Sequence, residues 1–156
     1  MTPAPTPAPV HLHDILDAAA RSHPDAPAVV WQETTLTYRE LAAASASAAS
    51  VLRAHGVRRG SRVLVSAADG HAVAAAVYAA SRLGAVFSVL HEDVRGAPLI
   101  HVLDDAEAAL LVTDDEAAEQ TAHERGCCAC ALRSCGPATP PTACRIRAPS
   151  PPTRPA

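Results

Sequence analysis

Along residues 10–116 of this 156-residue chain the apolar positions recur with two different periods, and each change of period marks an element. Leu12, Ile15, Leu16 and Ala19 fall at helical spacing and Pro24 follows His23, which predicts a short amphipathic helix. Ala28 to Trp31 then reads as a β-type run, Gln32 and Glu33 as a polar turn, and Thr34 to Thr37 as a second run; together they predict a hairpin. From Tyr38 to His55 the positions Leu41, Ala44, Ala48, Val51 and Leu52 return to helical spacing, and Gly56 stands where a C-terminal cap belongs.

The remaining segments alternate strictly. Arg62 to Ser66 is a strand candidate around Val63, Leu64 and Val65, followed by a helix from His71 to Leu83 that Gly84 closes. Ala85 to Leu90 is a second continuous apolar strand, Ala97 to Asp104 a further helix and Ala109 to Thr113 a third strand. Strand, helix, strand, helix, strand is the order that builds a parallel sheet through right-handed crossovers. The expected fold class is therefore α/β: an incomplete parallel sheet with crossover helices, preceded by a β-hairpin and followed by a disordered C-terminal tail.

Composition divides the chain into three. Residues 1–9 alternate proline with small residues and are expected to be extended and disordered. Residues 10–116 carry the α/β pattern. Residues 117–156 read as a helix remnant and a disordered Cys/Pro-rich tail: beyond Glu124 come all five cysteines, half of the 14 prolines and no acidic residue. Hydrophobic residues make up 49% of the chain but aromatic residues only 3%, and much of the remainder is alanine, so the expected core is thin. A parallel sheet normally has both faces covered, and the strands and helices that would complete this one are missing from the pattern, which further predicts marginal folding and a tendency to associate.

Charge excludes some functions. A net charge of −3 and a pI near 6.2 leave no electrostatic footprint for nucleic acid or an acidic membrane surface. The opening MTPAPTPAPV lacks the basic and apolar regions of a secretory signal, and no run approaches the roughly 18 apolar residues of a membrane span, so a cytoplasmic location is expected. All 13 basic residues are arginine and none is lysine, a bias expected of GC-rich coding sequence.

Four short segments carry a family resemblance. Leu36 to Leu41 spells LTYREL at the exit of the hairpin, and Arg82 to Leu90 spells RLGAVFSVL, in which a helix end and Gly-Ala lead into a buried strand. Between them lies Gly60-Ser61-Arg62-Val63, and further on Ile100 to Thr113 reads IHVLDDAEAALLVT. In this order and spacing they resemble the adenylate-forming enzymes, which include acyl-CoA ligases and the adenylation domains of nonribosomal peptide synthetases. Val89 stands where that family commonly has proline, Ser81 where it has leucine and Ser61 where it has aspartate.

The resemblance implies activation of a carboxylic acid with ATP and magnesium to an acyl-adenylate, then transfer to coenzyme A or a carrier protein. It also implies that the phosphate loop with its lysine, the adenine-binding aromatic segment and the ribose-binding aspartate belong to motifs further along the family sequence. None of them stands in this chain, so no catalytic, cofactor-binding or metal-binding residue is assigned to it.

Several residues are still candidates on chemistry alone. Tyr38 and Glu40 are the polar members of the first motif, with fixation of the hairpin-to-helix junction as the plainer reading. His91, Glu92 and Asp93 follow a strand at its carboxyl end, where open parallel sheets bind ligands; a solvated loop is the simpler alternative. Asp104, Asp105, Asp114, Asp115 and Glu116 would make a magnesium cluster if the fold gathered them. Cys127, Cys128, Cys130, Cys135 and Cys144, with His123, hold enough ligands for zinc, but their spacing matches no usual finger or ribbon.

The composition change at Gly126 is also what a shift of reading frame produces. Written in GC-rich codons and read two bases later, residues from Gly126 onward permit LLRVRAAELRAGDPADRLPDPGAEPADPA, an amphipathic start followed by an acidic, Pro-rich loop. Three functional readings follow: the N-terminal portion of an acid-activating ligase that is inactive alone, one piece of a split synthetase completed by a downstream polypeptide, or a non-catalytic interaction module using an exposed sheet edge.

Overall fold

A computed structural model describes residues 11–131. The expected disordered segment 1–9 and most of the Cys/Pro-rich tail lie outside the described residues. In chain order the elements are α1 (Leu12–Ser22), β1 (Pro27–Trp31), β2 (Thr34–Thr37), α2 (Tyr38–Ala54), β3 (Arg62–Ser66) and α3 (Gly70–Arg82). They continue with β4 (Val86–Val89), α4 (Ala97–Asp105), β5 (Leu110–Thr113), α5 (Glu116–Glu124) and β6 (Cys128–Ala131).

The mixed α/β architecture with a hairpin ahead of a parallel sheet is as the periodicity predicts. β1 and β2 pair antiparallel across a two-residue turn, with Trp31 opposite Thr34. Gln32 takes φ 51° in that turn, a left-handed conformation for which glycine is the usual residue. The other four strands pair parallel in the order β4-β3-β5-β6.

Side-chain alternation along the strands feeds two cores. Val63, Val65, Leu110 and Val112 meet Ala48, Ala49 and Leu52 of α2 and Ala76 and Ala79 of α3 on one face. Leu64 and Leu111 meet Leu99 and Leu103 of α4 and Ala118 and Ala122 of α5 on the other. Covering both faces is what makes β3 and β5 read as unbroken apolar runs. The helices contribute mainly alanine, so the core is built from small contacts, as composition predicts.

Local chemistry sets the boundaries. Thr37 and Glu40 form a reciprocal capping box at the start of α2: the Thr37 amide donates to Glu40 Oε2 at 2.8 Å and the Glu40 amide to Thr37 Oγ1 at 3.3 Å. Gly56, at φ 84°, ends α2, with the Val57 amide reaching back to the Leu52 carbonyl at 3.0 Å. The hairpin rests on α3 through Trp31, whose ring lies so close to Gly70 that a Cβ there would stand 2.8 Å from a ring carbon.

The end of α3 is fastened to the first two helices. Arg82 donates through Nε to the buried Ser45 Oγ at 2.9 Å and through its terminal nitrogens to the Asp17 carboxylate. The His13 amide donates to Ser81 Oγ at 3.2 Å, so the serine that replaces the family's usual leucine is a hydrogen-bonding partner of α1.

Two expectations are corrected. The second parallel strand is not buried: β4 sits at the sheet edge, with Val86 and Val89 57% and 52% exposed. The sheet also continues past the composition change at Gly126, because β6 pairs in register with β5 and buries Cys128, Ala129 and Cys130. The cysteines there occupy strand positions that a Cys- and Ala-rich sequence does not announce.

Candidate functional site

The chain leaves β3 for β4 on one side and then crosses back over β3 to β5 on the other. The strand order therefore reverses between β3 and β5, and their carboxyl ends are the place where an open parallel sheet offers a crevice for ligands. Ser66 and Thr113 end the two strands as buried polar residues. Beyond them stand Asp69, Asp114 and Asp115.

Each of these carboxylates is already engaged. Asp114 Oδ2 accepts from the Ala68 amide at 3.0 Å, tying the loop after β3 to the loop after β5. Asp69 caps α3 by accepting from the His71 amide at 2.9 Å, and Asp115 caps α5 by accepting from the Ala117 amide at 2.9 Å. Arg95 Nε lies 3.2 Å from Asp115 Oδ2. His71 places Nδ1 3.6 Å from Asp69, and its Nε2 is buried without a hydrogen-bond partner in the protein. The arrangement is a set of helix caps and loop ties.

The acidic residues do not gather into one cluster. Asp104 lies at the end of α4, opposite the carboxyl ends of the strands, and pairs with Arg125. Asp114 and Asp115 lie at the other end of β5, and Glu116 opens α5. Among the described residues no group of three His, Cys, Asp or Glu side chains is placed to hold a metal ion.

The other candidates are equally specific in their placement. His91 and Asp93 are strongly exposed in the loop after β4, with His91 Nδ1 3.3 Å from Asp93 Oδ2, and Glu92 accepts from Arg95 through its backbone carbonyl. Glu40 serves the capping box, and the Thr37 amide, followed by its hydroxyl, holds its carboxyl below the usual value. Tyr38 donates its amide to the Ala26 carbonyl at 3.1 Å, fixing the start of α2 to the loop between α1 and β1.

Cys127 and Cys128 face opposite cores, and burial pushes the Cys127 thiol up to about 11, so it stays protonated at neutral pH. His123 is exposed on α5, whereas Cys135 and Cys144 lie outside the described residues.

Asp69, His71 and Arg95 are not singled out by sequence. An aspartate immediately before an apolar-periodic run is an N-cap signal that identifies Asp69, but nothing local announces the link from Arg95 to Asp115. Among the described residues no helix is long and apolar enough to cross a membrane.

Comparison with known proteins supplies what the site alone does not. A human protein, acetyl-coenzyme A synthetase 2-like, mitochondrial, is 32% identical over 104 residues, covering 63% of this chain and 15% of that protein. The structure of VinN with L-aspartate superposes with a TM-score of 0.74 at 28% identity, covering 81% of this chain and 36% of VinN. MenE of Bacillus subtilis, an O-succinylbenzoate coenzyme A synthetase solved with ATP and magnesium, shares the fold with a TM-score of 0.72 at 23% identity, covering 84% of this chain and 36% of MenE. The chain thus spans about a third of the aligned structures and less than a fifth of the human relative. A family profile for AMP-binding enzymes matches residues 16–148, and the chain belongs to that adenylate-forming family.

Proposed function

We propose that this chain forms the N-terminal part of an ATP-dependent ligase that converts a carboxylic acid to an acyl-adenylate and then a thioester, and that it does not catalyse adenylation alone. The observation that carries this reading is the contrast between a family match across most of the chain and a switch-point crevice whose carboxylates are all engaged as caps and ties. Adenylation develops negative charge at phosphorus, which needs a cationic donor and a metal held by free oxygen ligands. The chain has no lysine, Arg95 at the crevice is paired with Asp115, and among the described residues no three His, Cys, Asp or Glu side chains gather to hold a metal. ATP and magnesium therefore do not fit the residues present, and no catalytic step is derived through them.

Coenzyme A or a carrier protein is the acceptor the family implies. A cytoplasmic setting is part of the same proposal. Substrate-dependent exchange of pyrophosphate into ATP tests the proposal. The chain alone should give no exchange above background with a panel of aliphatic, aromatic and amino acids; exchange with any of them overturns the inactive reading. Exchange that appears only after adding a polypeptide carrying the rest of an adenylation domain supports the split-synthetase reading.

A further inference from the structure

The edge strand β4 is built differently from the rest of the sheet. The Val86 amide donates to Ser61 at 2.9 Å and the Leu90 amide to Val65 at 2.8 Å. Because both polar groups of a residue in a parallel strand point to the same side, Val86, Ser88 and Leu90 face β3, and Phe87 and Val89 turn their N–H and C=O groups outward. That is a short row of two donors and two acceptors beside exposed Val86 and Val89.

Edges of this kind are usually blunted by proline, by inward charges or by a bulge. Here the register from Val86 to Val89 is unbroken, no charged residue lies within the strand, and the proline common in the resembling motif is replaced by Val89. That replacement restores an outward N–H.

We propose that β4 is a self-pairing edge through which two copies of this chain form an antiparallel, two-fold dimer, independent of any adenylation activity. With the axis at Ser88, Phe87 of each copy lies opposite Val89 of the other, and each such pair exchanges two backbone hydrogen bonds. Charge favours that direction over a parallel pairing. Arg59 packs against Gly84 at the amino end of β4, and Glu92 and Asp93 follow its carboxyl end. Antiparallel docking sets the basic end of one copy beside the acidic end of the other, whereas parallel docking sets like beside like. The short strand makes the association weak and concentration-dependent.

Sedimentation equilibrium of the full 156-residue chain in reductant is the test. A monomer–dimer equilibrium is expected, weakened by salt, and hydrogen exchange should slow at the Phe87 and Val89 amides as concentration rises while the Ser88 amide stays protected throughout. Val89→Pro removes an outward donor without touching the ladder to β3, and should raise the dimer dissociation constant at least about tenfold with an unchanged circular dichroism spectrum. Val89→Thr, which keeps the amide, should leave the dimer intact and covers the case in which the proline variant misfolds. A chain monomeric at all concentrations, a dimer indifferent to Val89→Pro, or concentration-dependent protection that appears elsewhere but not at Phe87 and Val89 overturns the proposal.

Discussion

β3 and β4 are neighbours in one ladder, carry similar apolar runs and have opposite surroundings. Val65 is 0% exposed and its register partner Val89 is 52% exposed. The inner strand lies between α2 and α3 on one face and α4 and α5 on the other, and no residue of the edge strand Val86–Val89 belongs to either buried core. Stability at the centre comes from apolar area removed from water, at roughly 25 cal/mol per Å². Around β4 polar links take a larger part: Gly60 donates to the Gly84 carbonyl at 2.9 Å, Val86 to Ser61, and Arg82 joins α3 to α1 and α2.

The comparison breaks first, and hardest, at the centre. Leu111→Ala empties a fully buried position facing α4 and α5 and should cost about 2–5 kcal/mol, read by urea unfolding with circular dichroism. Val65→Thr places a hydroxyl where the strand is dry and should cost about 1–3 kcal/mol. Losses as small as those expected at β4 would mean that the inner strands are not the structural centre.

Next comes the polar link. Arg82→Met keeps much of the side-chain length and strips Asp17 and the buried Ser45 of their donor, for a loss of about 1–3 kcal/mol. This effect has a pH signature. The Arg82 hydrogen bond holds the Asp17 carboxyl below its usual value of 3.8, so in the window below that value the unfolded chain binds more protons than the folded one. The contribution is present above pH 3.8 and disappears as pH falls through the lowered folded value. In Arg82→Met that component of the acid-unfolding profile should vanish.

Sequence made the elements legible wherever periodicity was decisive. The two turns of α1, the hairpin and the alternation from Arg62 to Thr113 all follow from spacing, and Gly56 marks its cap. The exposure of β4 is not legible because VFSV resembles RVLV in apolar content, and a run of apolar residues does not say how fully it is covered. β6 was hidden for the opposite reason: Cys128 to Ala131 has little strand character of its own and is placed by its pairing with β5. At the switch point, Asp114 and Asp115 were visible as acids. The cap that Asp115 places on Ala117 is local, but the ties of Asp114 to Ala68 and of Asp115 to Arg95 are tertiary, and only the fold turns a suspected metal cluster into loop ties.

A smaller effect belongs to the junction that carries the first motif. Thr37→Ala removes the hydroxyl that accepts from the Glu40 amide and should cost about 1 kcal/mol in thermal unfolding. An additive loss in Glu40→Ala combined with Thr37→Ala would show that the two act separately rather than as one capping box.

The smallest effect is the most discriminating. Val89→Thr makes the same chemical change as Val65→Thr at the directly paired position, keeps the β-branched shape that a strand favours, and places its hydroxyl where water already reaches. Its effect on unfolding free energy should stay within about 0.5 kcal/mol. Strand propensity and ladder pairing are nearly shared between the two sites, so the difference between the variants isolates burial. Equal losses would mean that Val89 is covered in solution and that burial does not separate the two strands. At protein concentrations where the dimer forms, the Val89 variant should keep both its stability and its association, because the proposed contact runs through the backbone amide and not through the methyl groups.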